Sequence, residues 1–142
     1  MTQQEQDAAL AEARELARRF VTIAERARGE FAEATAHIGL PVHLTRAILA
    51  LEEPLRMREI AEQLACDPSY VTSLADQLEE RGLATRTTGA DRRIKLIALT
   101  SAGVEKRAEI AAAVNTGARF ARQLNADQRE TLRGLLELLE QS

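Results

Sequence analysis

The sequence predicts a mainly α protein with one small β-hairpin, an α+β arrangement, and three observations predict it. Apolar residues recur at helical spacing through most of the chain. An Ala- and Leu-rich composition with only 3% aromatic residues and no tryptophan favours helix. One stretch, 84–99, is Thr-rich and then Ile/Leu-rich around a glycine, which is the pattern of two short strands and a turn.

The chain has 142 residues, one domain's worth and long enough to bury a core. With 45% hydrophobic and 29% charged residues it falls in neither the disordered nor the membrane class. No apolar run approaches the roughly 20 residues that cross a bilayer, and the N-terminal segment MTQQEQDAALAEAREL lacks an apolar signal core. A single cysteine, Cys66, excludes an intramolecular disulfide and fits a reducing cytoplasm. No Gly-rich phosphate loop, HExxH motif or spaced nucleophile and base appears, so neither an enzyme nor a cofactor is expected. With two histidines and no cysteine cluster, a metal site is not expected either.

The first segment, 5 to about 36, reads as one long helix, with Leu10, Ala13, Leu16, Ala17, Phe20, Ile23, Ala24 and Ala27 on its apolar side. So long a stripe on so small a chain calls for a partner subunit as cover. Gly39-Leu40-Pro41 breaks it, and Pro41 suits the first turn of a second helix, about 41–51. A third, about 57–65, has Arg56, Met57 and Arg58 where a Ser or Thr cap is the usual start.

The fourth helix is the most clearly punctuated. Asp67 is an N-cap, Pro68 fits the first turn, and Gly82 suits a left-handed stop after Arg81. Val71, Leu74, Ala75 and Leu78 form its apolar stripe; Ser69, Thr72, Ser73 and Asp76 lie opposite, with Tyr70 and Gln77 at the flanks. Strands at about 84–88 and 93–99 follow. Thr100 or Ser101 can cap a fifth helix, about 101–123, and Asn125 with Gln128 forms a capping box for a sixth, to about 140, striped by Leu132, Leu135, Leu136 and Leu139. The third and fourth helices have helix-turn-helix dimensions.

The net charge of −3 argues mildly against a nucleic-acid partner, but the distribution argues for one. Between 81 and 95 stand five basic residues (Arg81, Arg86, Arg92, Arg93, Lys95) against the single acid Asp91. A local patch is what attracts phosphate, since salt screens charges beyond about 10 Å at about 0.1 M. A helix with a small polar face beside a basic hairpin suits contact with duplex DNA in two grooves.

Those residues also carry a family pattern. The run D-x-R-x5-L-T-x2-G is present as Asp91, Arg93, Leu99, Thr100 and Gly103; REIAEQL precedes the turn, and V-T-x-L-x-D-x-L-E-x-x-G runs from Val71 to Gly82. With its helical flanks, the chain resembles the MarR (multiple antibiotic resistance regulator) family of winged-helix transcription factors. The resemblance implies a winged helix-turn-helix flanked by long dimerisation helices: 1–39 an N-terminal dimerisation helix, 40–100 the DNA-binding domain, 101–142 the C-terminal dimerisation helices. It implies a cytoplasmic homodimer on a roughly palindromic double-stranded DNA site, most often a repressor, released in many members by a small aromatic or phenolic effector.

For DNA contact the candidates are Pro68, Ser69, Tyr70, Thr72, Ser73 and Gln77 on the helix, where hydroxyls and the Gln77 amide can meet base edges. On the wing they are Arg86, Arg92, Arg93 and Lys95, with the two tip arginines as minor-groove probes, the strand cations as phosphate clamps, and Asp91 as an orienting partner for Arg93. The plainer reading of each is a solvated surface side chain. The chain departs from many members in having Ser73 and Gln77 where they carry basic residues, which shifts attraction onto the wing. His37, His43 and Arg46 are candidates for lining an effector cleft. Cys66 reads as a buried structural thiol, because no second cysteine stands ready to resolve an oxidised one. A protein-interaction module without DNA contact is the competing function; the charged wing counts against it.

Overall fold

The computed structural model describes residues 1–117 and 122–141. Its elements are α1 (Gln3–Thr35), a single 3-10 turn (Ala36–Ile38), α2 (Val42–Ala50), α3 (Met57–Leu64), α4 (Pro68–Glu80), β1 (Ala84–Thr88), β2 (Lys95–Leu99), α5 (Ser101–Gly117) and α6 (Ala126–Glu140). They fall into two compact units, Met1–Glu33 with Gly117–Ser142, and Ala34–Thr116. The expected mainly α fold with one hairpin is the fold observed.

The boundaries that differ from expectation do so for local reasons. Helix α1 starts two residues early because Thr2 Oγ1 accepts from Glu5 N while the Glu5 carboxylate accepts from Thr2 N, at 3.2 and 2.7 Å. That reciprocal pair also holds the Glu5 carboxyl below its ordinary pKa, the Thr2 backbone bond being the larger cause. Helix α2 starts one residue late, at Val42, since Pro41 keeps an extended ψ of 142° and serves as the cap whose carbonyl receives Leu44 and Thr45 N–H. Helix α3 replaces the missing Ser or Thr cap with Glu59, whose carboxylate accepts from Arg56 N at 3.1 Å. Strand β2 starts at Lys95 rather than 93, because Arg93 and Ile94 are consumed by the turn. Arg93 N donates to Asp91 Oδ1 and Ile94 N to Asp91 O, both at 3.0 Å. The expected extent of α5 to 123 reaches past Gly117 into positions outside the described residues.

Inside the unit Ala34–Thr116, α3 packs on α4, α2 on both, and α4 on β1. Leu44, Ile48, Val71, Leu74, Leu78 and Ile110 are fully buried at its centre. The α4 stripe read from the sequence is therefore core-facing in full. Strands β1 and β2 pair antiparallel, Ala84 opposite Leu99 and Thr88 opposite Lys95. Leu55, just before α3, joins the same sheet: it exchanges both backbone bonds with Ile97, at 3.1 and 2.8 Å. The hairpin is thus anchored at its base on the helical core and projects its turn.

The Leu-Thr-x-x-Gly end of the wing pattern has a mechanical reading. Thr100 Oγ1 donates to Gly82 O at 2.6 Å, Thr100 N donates to Leu83 O, and the same hydroxyl accepts from Gly103 N at 3.1 Å as the cap of α5. One threonine staples the start of α5 to the end of α4. The approach is so close that a Cβ on Gly103 would lie 2.0 Å from Leu83 O, so only glycine fits. Gly82 itself sits at φ +71°, the left-handed stop expected after α4.

Candidate nucleic-acid interface

The outer face of α4 begins with the cap. Asp67 Oδ1 accepts from Ser69 N at 2.9 Å and from Ser69 Oγ at 2.7 Å, and these bonds, the side-chain one first, hold the Asp67 carboxyl below its ordinary pKa. Along the first two turns Pro68, Ser69, Tyr70, Thr72 and Ser73 are all exposed, and Gln77 one turn later is half-buried. The helix therefore displays the hydroxyls expected of it on one open face.

The cations of the wing differ in their surroundings. Arg92, Arg93 and Lys95 are exposed, and no ion pair engages them among the described residues. Arg86 is otherwise employed. From β1 it reaches back to α4, one guanidinium nitrogen 2.7 Å from Asp76 and the other 2.8 Å from Glu79, and Asp76 first among these partners raises its pKa. With its fork on two carboxylates, Arg86 clasps strand to helix in the free chain. An exposed ion pair stabilises by at most about 1 kcal/mol. Its larger effect is electrostatic: it sets one positive charge between two carboxylates and offsets half of their charge on the helix that carries the exposed hydroxyls. Asp91 orients Arg93 through the backbone, by accepting from its N–H, not by pairing with the guanidinium.

The three residues expected to line an effector cleft lie on two elements, His37 on the 3-10 turn and His43 and Arg46 one turn apart on α2. His37 is exposed on the 3-10 turn and Arg46 is half-buried on α2. His43 faces α4 instead: its Nε2 lies 3.2 Å from Gln77 Oε1, and its ring centroid is 6.3 Å from that of Tyr70 at a tilt of 49°. Gln77 Nε2 in turn donates to Ser73 Oγ at 3.1 Å. Cys66 is half-buried rather than buried, and packs against the core. A small cavity of about 290 Å3 opens elsewhere in this unit, between Leu51, Pro54, Leu99, Val104 and Arg107. Arg107 is held there by Leu49 O at 3.1 Å. Neither the His43–Gln77 contact nor the Arg86 clasp follows from spacing along the chain. The nearest signal for the clasp is that the acids Asp76 and Glu79 share one face of α4 just before a strand that carries an arginine.

Residues 44–95, from α2 to the first residue of β2, match the model of the MarR family. CouR from Rhodococcus jostii RHA1, solved bound to p-coumaroyl-CoA, is 30% identical and superposes with a TM-score of 0.77 over 84% of this chain and 87% of CouR. A MarR-family transcriptional regulator from Rhodococcus sp. RHA1 is 28% identical, with a TM-score of 0.73 over 90% of this chain and 94% of the other. The chain belongs to the MarR family. MdtR of Bacillus subtilis, an HTH-type transcriptional repressor, is 42% identical over 59 residues, which are 41% of this chain but only 38% of MdtR. Members of the MarR family are transcriptional regulators rather than enzymes, and this chain is such a regulator. Its hairpin is the wing of a winged helix. Among its described residues no helix is long and apolar enough to cross a membrane.

Proposed function

We propose that this MarR-family regulator is a homodimer that binds a roughly palindromic DNA site and represses transcription until a small molecule releases it. The observation that carries the reading is the exposed trio Arg92, Arg93 and Lys95 at the wing, beside an α4 face of hydroxyls whose acids Asp76 and Glu79 are both paired with Arg86. Such a surface offers phosphate attraction from the wing and base-edge hydrogen bonds from the helix, the two parts of duplex recognition. Pro68, Ser69, Tyr70, Thr72, Ser73 and Gln77 are the helix contacts, with Arg92 and Arg93 as minor-groove probes and Lys95 as a phosphate contact.

The dimer rests on the terminal helices. Every residue from 1 to 29 is exposed in the single chain, Leu10, Leu16 and Phe20 by more than half. Leu135 and Leu139 of α6 are likewise exposed, at 54% and 62%. A second copy is the cover that such stripes fit, with 1–39 and 101–142 as dimerisation segments around a DNA-binding 40–100. Repression is supported by the likeness to MdtR, and release by the likeness to CouR, whose bound p-coumaroyl-CoA points to an aromatic acid or its thioester. His37 and Arg46 stay candidates for meeting such an acid. A DNA-bound regulator of this kind works in the cytoplasm.

The test is a mobility-shift titration on the DNA flanking the protein's own gene, repeated across salt concentrations. A specific shift is expected, weakened by Arg93→Ala and by Lys95→Ala, the second also flattening the log–log salt slope by about 0.9 as its phosphate contact is lost. Binding that is absent, or indifferent to salt and to both substitutions, would favour a winged-helix module that binds protein.

A further inference from the structure

Gln77 is the single carboxamide on α4, and the structure holds it from two sides. A carboxamide has two N–H donors and an oxygen with two acceptor sites. One donor is on Ser73 Oγ at 3.1 Å, and one acceptor site faces His43 Nε2 at 3.2 Å. One donor and one acceptor remain, which is the number that bidentate pairing with adenine N7 and the N6 amino group takes. The internal bonds therefore do not exhaust the amide. They orient it.

The two holders are not equivalent. A serine hydroxyl donates or accepts equally well, so Ser73 tolerates either end of the amide. An imidazole Nε2 that carries its proton only donates, so it accepts only the oxygen as its neighbour. His43 thus decides which end of the amide is donor and which acceptor. Both residues of this pair are half-buried, and Tyr70 lies beside the imidazole, which restricts the ring.

We propose that His43, reaching across from α2, is a specificity-positioning residue that fixes the polarity of the Gln77 amide and thereby the base α4 selects. The inference rests on the DNA-binding reading above. An amide free to rotate by a half-turn presents acceptor and donor in either order, and so distinguishes adenine from other bases less well. Overall attraction is supplied by the wing cations and does not depend on this orientation.

The experiment selects duplexes from a randomised DNA pool with the wild-type protein, then measures affinity for the preferred duplex and each of its single-base-pair variants. Gln77→Ala identifies the base pair that the amide reads, as the position where preference collapses. His43→Phe keeps a ring beside Tyr70 and removes the donor. It is expected to flatten preference at that same base pair by about tenfold, with preferences elsewhere and the salt slope unchanged. His43→Gln, which restores a donor on a side chain of similar reach, is expected to recover part of the preference. Added to Gln77→Ala, His43→Phe is expected to change nothing further. Wild-type preference retained by His43→Phe overturns the inference, and so does an equal loss at every position. If the wild-type protein selects no duplex at all, the DNA reading itself fails and takes this inference with it.

Discussion

The two units of the chain use the same residue types in opposite ways. In the unit Ala34–Thr116, Leu44, Ile48, Leu74 and Leu78 are sealed from solvent. In the unit of Met1–Glu33 and Gly117–Ser142, leucines at the same helical spacing stay open: Leu16 is 57% exposed and Leu138 66%. Both sets make helices amphipathic, so periodicity alone does not separate them. The difference is that the first set has four helices and a hairpin from its own unit to pack on. Burying an exposed leucine fully would stabilise by about 1.5–3 kcal/mol each, so the open stripes are a standing drive to associate. One region closes over its own core, and the other leaves its apolar stripes open.

The largest effect is expected in the closed core. Leu74→Ala removes a fully buried side chain and is expected to lower unfolding free energy by about 2–5 kcal/mol in a urea titration. A loss under about 1 kcal/mol would mean that this core is looser than its burial suggests. In the terminal helices the same kind of change should act on association instead. Leu16→Glu combined with Leu139→Glu is expected to raise the dimer dissociation constant at least tenfold in sedimentation experiments. A species of unchanged mass across dilution would contradict the role assigned to those stripes.

Two smaller effects sharpen the surface of the central unit. Arg86→Ala leaves Asp76 and Glu79 without their countercharge and is expected to weaken DNA binding several-fold while leaving the log–log salt slope as it was. A slope flatter by about 0.9 would instead make Arg86 a phosphate contact. Smallest is the cap. Asp67→Ala is expected to lower the melting temperature by a few degrees at neutral pH. Because the Asp67 carboxyl titrates below its ordinary 3.8 in the folded chain, its contribution is present above that pH and fades as pH falls through the depressed value. Melting curves of variant and wild type should therefore converge in strong acid, and a gap that persists there would assign the loss to something other than the charged cap.

Much of this was legible in the residues. The α4 start at Asp67-Pro68 and its stop at Gly82 are local chemistry, and both stand where expected. The wing pattern placed the hairpin, and the structure supplies the reason for its glycine in the approach of Leu83 O. Less legible was anything that joins distant segments. The Leu55–Ile97 pairing involves one residue outside any strand-like run, so it left no period to detect. Arg86 reads from the sequence as one cation of a basic patch, and its carboxylate partners on α4, ten and seven positions back, leave no mark in that reading. His43 was grouped with His37 and Arg46 as a lining of an effector cleft, and its contact with Gln77, 34 positions away, was not legible.

The sequence by itself determined the helices, their caps, the hairpin and the family, because each of those depends on contacts within a few residues or on a pattern of residue types. Tertiary structure alone decided which charges are spoken for and which amide is held. A carboxylate, a guanidinium or an imidazole has the same identity in every surrounding, and only its neighbours in space settle whether it is spent inside the chain or left to meet a partner. On this chain that distinction ties Arg86 to Asp76 and Glu79 and His43 to Gln77, and leaves Arg92, Arg93 and Lys95 facing outward.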